Sequence, residues 1–314
     1  MTLHLEKILF HELINLTAAE LKINPLFIEK DYWITVVLKR LSESKFESES
    51  VFKGGTSLSK GYELIERFSE DVDIALINNN AKTGNEIKSI IRSIEKEMTK
   101  DLSELQVAGV TSKGSRFRKS VFEYESTKAK NQSNKLIVEV NSFANPFPFK
   151  RLSIKSLMFD FLTQSKNEKY IEQFKLEPFE VNVLNKEQTL MEKTVSLIRV
   201  SFESNPAESI AKKIRHFYDL YFLMNDAECI EFVKSNKFKN EFEKILKHDK
   251  EMFDEPIGWK NKSLKESPLI NDFENVWKQV KETYKTELSV LAYTPIPDEK
   301  KVAGRFKELM KRLQ

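Results

Sequence analysis

Two aspartates, Asp71 and Asp73, stand two residues apart at the start of an apolar run that ends at Ile77. The run predicts a buried strand, and because strand side chains alternate between faces, both carboxylates are expected on one face. Carboxylates held side by side repel each other unless a cation lies between them or one of them is protonated. Magnesium is the expected cation, because it prefers oxygen ligands and is often bound by one or two carboxylates together with substrate phosphates.

A glycine-rich turn comes before this strand. Residues 51–53 predict the end of a strand, the Gly-Gly pair at 54–55 permits a tight backbone path, and residues 56–66 have the apolar spacing of a helix. Backbone N–H groups at such a helix start, with the hydroxyls of Thr56 and Ser57, could receive a phosphate chain. The alternative is a plain turn followed by the exposed face of an edge strand. The occurrence of both motifs in this order favours a nucleotidyltransferase site over that alternative.

A third acidic ligand is expected on a neighbouring strand, because two metal ions and a hydroxyl nucleophile need more ligands than two carboxylates provide. Glu139 is the candidate. It is a lone carboxylate within the apolar run Leu136–Val140, where burial without a partner would be costly. The alternative is that Glu139 faces solvent on an alternating strand.

Charged residues also stand out in the predicted helices of the carboxyl-terminal half. Lys193 lies among mainly apolar residues, and it either reaches a triphosphate or belongs to a solvated polar face. Arg215 and Asp219 lie four residues apart on one helical face, a spacing typical of a surface ion pair. His216 has no other metal-ligand residue at a suitable spacing, which favours a structural role.

Length and composition indicate a cytoplasmic protein of two domains. The 314 residues suffice for two domains of ordinary size, and 40% hydrophobic content suffices for packed cores. No window is apolar enough to span a membrane, and the amino terminus lacks the apolar run of a signal peptide. The single cysteine, Cys229, excludes an intramolecular disulfide and fits a reducing compartment. The net charge of +3 does not by itself indicate nucleic-acid binding.

The order of predicted elements indicates an α+β fold. A domain over residues 1–185 is expected to hold a mixed β-sheet flanked by helices, and residues 186–314 to form an α-helical bundle. Predicted helices in the first domain cover residues 4–41, 56–66 and 85–98, and further predicted strands cover residues 104–111, 117–125 and 136–142. The predicted helices of the second domain cover residues 188–202, 207–224, 230–246 and 273–291.

Four motifs together resemble the AbiEii-type nucleotidyltransferase toxins of type IV toxin–antitoxin and phage abortive-infection systems. They are Glu29-Lys-Asp-Tyr-Trp33, Lys53-Gly-Gly-Thr-Ser-Leu58, Arg67-Phe-Ser-Glu-Asp-Val-Asp-Ile74, and the pair Glu192-Lys193 with Arg215-His-Phe-Tyr-Asp-Leu220. The resemblance implies a polymerase-β-like nucleotidyltransferase fold, a cognate antitoxin, and magnesium bound at Asp71 and Asp73. It implies that Lys193 contacts the triphosphate and that Asp219 is a further essential acidic residue. The nucleotide-binding residues that it implies are Gly54, Gly55, Thr56, Ser57, Ser69 and Lys193.

The predicted reaction moves a nucleoside monophosphate from a nucleoside triphosphate to a hydroxyl acceptor and releases pyrophosphate. The resemblance points to RNA, particularly tRNA ends, as the acceptor. The RNA is expected in a cleft between the two domains, with candidate phosphate contacts at Lys113, Arg116, Arg118, Lys119, Lys212 and Lys213. Further basic residues at Lys128, Lys130, Lys135 and Arg215 either line that cleft or belong to solvated faces. The alternative function is a non-catalytic nucleotide-binding or protein-interaction module, against which the intact Asp-x-Asp pair argues.

Overall fold

The computed structural model describes residues 1–69, 71–77, 82–126 and 134–314. Lys128 and Lys130, two of the basic candidates, lie outside the described residues. Contacts divide the chain into two compact units. The first comprises residues 1–63 and 68–184, and the second comprises residues 64–67 and 185–314.

The first unit contains helices and a sheet. Its helices are α1 (Lys7–Leu21), α2 (Pro25–Ser42), α3 (Gly54–Lys60), α4 (Gly84–Met98), α5 (Leu157–Gln164) and α6 (Lys169–Phe174). Its strands are β1 (Ser50–Lys53), β2 (Asp71–Leu76), β3 (Ser103–Leu105), β4 (Ser112–Lys113), β5 (Phe117–Glu123), β6 (Lys135–Asn141), β7 (Phe149–Ile154) and β8 (Phe179–Leu184). Short 3₁₀ segments occur at Leu3–Leu5 and Glu47–Glu49.

Within the described residues, the eight strands form one mixed sheet in the order β3-β5-β6-β2-β1-β8-β7, with β4 paired to β5. The pairs β2–β6 and β1–β8 are parallel, and the other pairs are antiparallel. The central strands are buried apolar runs, as expected for strands covered by other elements. This mixed sheet with flanking helices confirms the α+β fold.

Helix α3 is shorter than the sequence predicts. It starts at Gly54 and ends at Lys60, whereas residues 56–66 carry the apolar spacing of a helix. Glu63 has a positive φ of 49°, a conformation that a right-handed helix cannot continue through. The apolar residues beyond it belong to the second unit, where the Tyr293 N–H donates to the Glu66 carbonyl at 3.1 Å. Their helical spacing therefore reflects packing against another element.

The second unit is helical. Its helices are α7 (Lys186–Val200), α8 (Pro206–Ala211), α9 (Arg215–Leu223), α10 (Ala227–Lys234), α11 (Phe238–Met252), α12 (Pro268–Asn271), α13 (Phe273–Leu291) and α14 (Glu299–Lys311), with 3₁₀ segments at Trp259–Asn261 and Leu264–Glu266. An aromatic cluster of Phe217, Phe273, Trp277 and Phe306 joins α9, α13 and α14. Among the described residues, no helix is long and apolar enough to cross a membrane.

Candidate active site

Asp71 and Asp73 lie at the start of β2. Val72 and Ile74 between and after them are fully buried, while the two aspartates are partly exposed, as the two-residue period of a strand requires. Asp73 pairs with Lys53 on β1 and with Glu139 on β6. The sheet therefore brings all three predicted acidic residues to one region of the first unit.

Gly54 sits against the Asp73 carboxylate. Its φ is +82°, and a Cβ added there would overlap Oδ2 of Asp73. A side chain at position 54 would be strained by the backbone and would displace the carboxylate. The glycine therefore leaves room for the Asp73 carboxylate against the start of α3.

Repulsion and burial act on these carboxylates. Burial, with the negative charges of Glu139 and Asp71, raises the pKa of Asp73 to about 8. Burial also raises the pKa of Glu139. A divalent cation beside Asp73 would reverse this effect, since it favours the ionised form of its ligands.

Lys119 on β5 lies between Asp71 and Glu139. Its Nζ is 3.5 Å from Oδ2 of Asp71 and 3.8 Å from Oε2 of Glu139. Within the residues that the structure describes, no three His, Cys, Asp or Glu side chains are grouped closely enough to hold a metal ion by themselves. Asp71 and Asp73 nevertheless fit magnesium, because its sites are commonly completed by water and substrate phosphates.

The hydroxyls of the Gly-Gly-Thr-Ser turn already donate to backbone carbonyls. Thr56 Oγ1 donates to the Asp71 carbonyl, and Ser57 Oγ donates to the Gly54 carbonyl at 2.9 Å. Both side chains are buried. Because these hydroxyls are engaged, the groups that could bind a phosphate here are the backbone N–H groups at the start of α3, which have no acceptor within the helix. Ser69 lies half-buried, two residues before Asp71.

Lys193 and Asp219 meet in the second unit. Lys193 Nζ is 2.8 Å from Oδ2 of Asp219, which has no exposed surface. Arg67 also binds this carboxylate, with Nε 2.7 Å from Oδ1 and Nη2 2.7 Å from Oδ2. Burial alone would raise the pKa of Asp219, but the two cations hold it well below its usual range. The alternative of a surface ion pair between Asp219 and Arg215 does not hold, because the Asp219 carboxylate is inside the unit.

His216 is half-buried and lies beside this group. Burial, with the positive charge of Lys193, lowers the pKa of His216 well below its usual value, so the imidazole is neutral at physiological pH. A neutral, half-buried imidazole beside cationic side chains is consistent with the structural role expected for His216.

Several basic candidates for RNA contact are ion-paired. Arg118 binds the buried Glu95 at 2.6 Å, and Lys119 faces the acidic residues of the site. The remaining pairs are Lys113 with Glu104 at 2.6 Å and Lys212 with Glu208 at 2.8 Å. Arg116 is exposed and has no ion-pair partner among the described residues.

Two of these contacts were missed by sequence reasoning. Arg67 is the first residue of one of the four motifs. Its ion pair with Asp219 could not be inferred from the sequence, because Asp219 lies 152 residues away. Lys119 is a predicted RNA contact by strand alternation and family resemblance, whereas its ammonium lies beside Asp71 and Glu139. The alternation of side chains along β5 could have indicated this position of Lys119. It puts Lys119 and the buried Val121 on one face of the strand and Arg118 on the other.

The sequence profile of one protein family matches residues 36–300, and the family is described as "Nucleotidyl transferase AbiEii toxin, Type IV TA system". The chain belongs to this family. Among solved structures, MenT4, a nucleotidyltransferase toxin from Mycobacterium tuberculosis H37Rv, is similar with a TM-score of 0.52 and 14% identity. The similarity covers 96% of this chain and 89% of MenT4, and at this identity it shows a shared fold. No curated protein matches the sequence significantly.

Membership of the AbiEii family makes the chain a nucleotidyltransferase toxin. It implies a nucleoside triphosphate as substrate and an antitoxin as partner. It also implies divalent metal ions, which nucleotidyltransferases generally use. The non-catalytic alternative is thereby disfavoured.

Proposed function

We propose that this AbiEii-family member is a magnesium-dependent enzyme that transfers a nucleoside monophosphate from a nucleoside triphosphate to a hydroxyl of RNA, at tRNA ends in particular. The observation that carries the proposal is the Asp73 carboxylate against Gly54, with Asp71 beside it on the same strand. This arrangement places two oxygen ligands next to the start of a helix. Both RNA and nucleoside triphosphates are cytoplasmic, in keeping with the predicted location.

Asp71 and Asp73 would hold magnesium, which when bound neutralises phosphate charge and activates the acceptor hydroxyl. The N–H groups at the start of α3 orient the triphosphate. Glu139 stands beside Asp73 in the sheet and is proposed as the third acidic ligand of the metal ions. Lys119 balances the negative charge of Asp71 and Glu139 before substrate binds.

Lys193 is proposed to contact the triphosphate, as the family resemblance implies. Its ammonium shares the Asp219 carboxylate with Arg67, so two cationic side chains meet one anionic side chain. A lysine acts on phosphate as a point charge. The motif and this local excess of cationic side chains support the assignment.

Replacing Lys193 with methionine should weaken binding of a triphosphate about tenfold or more while leaving nucleoside binding unchanged. Methionine keeps the apolar length of the side chain and removes the charge that phosphate needs. Isothermal titration with both ligands measures the difference. Equal losses for both ligands would make Lys193 a packing residue only.

An RNA acceptor predicts that binding weakens steeply as salt rises, because phosphate contacts release counterions. Arg116→Gln should lower RNA affinity severalfold and reduce the salt slope by about one. Arg92→Gln on α4 is a matched control, because Arg92 is also exposed and the same charge is lost. Salt-independent RNA binding, or equal effects of the two variants on RNA affinity, would show that RNA does not bind at Arg116. Arg118 is unsuitable for the test, because its loss would leave Glu95 unpaired inside the first unit.

The reaction is tested by incubating the protein with each labelled triphosphate, magnesium and total RNA. Labelled RNA of tRNA size, with pyrophosphate released in equal amount, is the expected result. Label on protein or on a small molecule would assign a different acceptor.

A further inference from the structure

Three consecutive charged residues of α2 are buried. Glu29, Lys30 and Asp31 are 2%, 8% and 5% exposed. Buried charges are costly unless they are paired and hydrogen-bonded. The partners of Asp31 lead towards the proposed nucleotide site: Oδ1 accepts from Lys60 Nζ at 2.7 Å, and Oδ2 accepts from the Leu157 N–H at 2.8 Å.

The Asp31 carboxylate is held by the start of α5. Leu157 is the first residue of that helix, and Ser156 caps it by accepting from the Phe159 N–H at 3.1 Å. The unpaired N–H groups and the dipole at a helix start favour a carboxylate there. Asp31 is thus a fixed acceptor on which Lys60 docks.

Lys60 is the last residue of α3, and the Gly-Gly-Thr-Ser turn is its beginning. Lys60 Nζ also donates to the Lys155 carbonyl at 2.5 Å. The next residue, Gly61, packs closely, since a Cβ there would lie 3.1 Å from the Ser57 carbonyl and 3.3 Å from Val183. A helix of seven residues is only about 10 Å long, so a shift at its end moves its start.

The other end of α3 is tied to the acidic strand. The Thr56 hydroxyl donates to the Asp71 carbonyl, and Gly54 adjoins Asp73. The helix is therefore held at both ends within the first unit. Its orientation depends on Lys60 at one end and on β2 at the other.

We infer that Asp31 and Lys60 form a positioning pair that sets the orientation of α3, and hence the position of Gly54 and Thr56 against the proposed metal ligands Asp73 and Asp71. This inference rests on the proposed function. A buried ion pair generally stabilises a fold no more than a well-packed apolar pair does. The pair of Asp31 and Lys60 instead fixes the position of the end of α3, because the Lys60 ammonium donates to one carboxylate oxygen and to one backbone carbonyl.

Lys60→Met tests the inference, because it keeps the side-chain length and removes the pairing. Affinity for magnesium with a non-hydrolysable triphosphate should fall about tenfold, and KM for the triphosphate should rise more than KM for the acceptor. Lys60→Arg, which keeps the charge and donors, should restore part of the affinity. Should Lys60→Met fail to fold, Lys60→Gln keeps one donor and serves in its place.

Lys186→Met in the second unit is a matched control. Lys186 is also nearly buried, and its Nζ also lies 2.7 Å from an aspartate at a helix start, Asp226. It should lose similar thermal stability and keep its affinity for the triphosphate. Equal loss of triphosphate affinity in Lys60→Met and Lys186→Met, or no loss in Lys60→Met, would overturn the inference. The proposed function would still stand if the wild-type protein binds the triphosphate. Failure of the wild-type protein to bind the triphosphate would contradict the proposed function, and the inference with it.

Discussion

Replacement of Asp73 by asparagine should reduce nucleotide transfer by at least a thousandfold and should also stabilise the metal-free protein. Loss of transfer is expected because asparagine removes an anionic metal ligand with little change in volume. Stabilisation is expected because desolvation and the neighbouring carboxylates of Glu139 and Asp71 raise the pKa of the partly exposed Asp73 to about 8. Active sites commonly lower the stability of the fold in this way.

The pH dependence follows from the direction of the shift. A carboxyl group with a raised pKa contributes full stability below its unfolded value near 4 and loses that contribution as pH rises towards 8. The metal-free wild-type protein should therefore lose stability between pH 4 and 8, with a smaller loss in Asp73→Asn. At pH 8 the variant should be more stable by on the order of 2 kcal/mol.

Denaturant unfolding of both proteins with a chelator present measures this difference. Asp101→Asn, a change of the same kind at an exposed aspartate, should alter neither transfer nor the pH dependence. Wild-type transfer by Asp73→Asn would contradict the metal assignment. A variant less stable than wild type at pH 8 would contradict the account of the Asp73 environment.

Replacement of Asp219 by asparagine should destabilise the helical unit by about 3–5 kcal/mol, because it leaves two buried cations without their shared carboxylate. Asparagine keeps the shape of the side chain and lacks the charge. Any loss of activity in this variant should therefore accompany loss of stability. Thermal and denaturant unfolding of the variant measure the effect.

Lys193→Met is the informative comparison, since it leaves the two-point contact of Arg67 with Asp219 in place. Its stability should fall much less than that of Asp219→Asn. The pKa of Asp219 is lowered on folding, so its contribution is present above pH 4 and is lost as pH falls. If Asp219→Asn kept wild-type stability and lost only activity, Asp219 would act on substrate instead of anchoring its neighbours.

The local features of the site were predictable from sequence. The two-residue period placed Asp71 and Asp73 on one face of a strand, whereas the turn predicted at the Gly-Gly pair is the beginning of helix α3. Glu139 was expected on a neighbouring strand, and β6 places it opposite Asp73. Each of these features depends on residues close together in the chain or on strands with strong apolar patterns.

The contacts between distant segments were not predictable. Asp31 and Lys60 are 29 residues apart, and Arg67 and Asp219 are 152 residues apart. Charged residues inside helices are usually solvated, so the spacing of Arg215 and Asp219 left a surface ion pair open, and only the family resemblance marked Asp219 as an essential residue. Tertiary structure also overrode local periodicity after Lys60, where Leu64 and Ile65 follow a helical spacing but belong to the second unit.

The central claim is that Asp71 and Asp73 hold the magnesium that drives transfer from a nucleoside triphosphate. Pyrophosphate release in the presence of acceptor RNA tests it most directly, measured for the wild-type protein and for Asp71→Asn and Asp73→Asn at increasing magnesium. We expect wild-type release to depend on magnesium and to equal the nucleotide incorporated, and both variants to be inactive at every magnesium concentration. Magnesium-independent release by the wild-type protein, or full release by either variant, would contradict the claim.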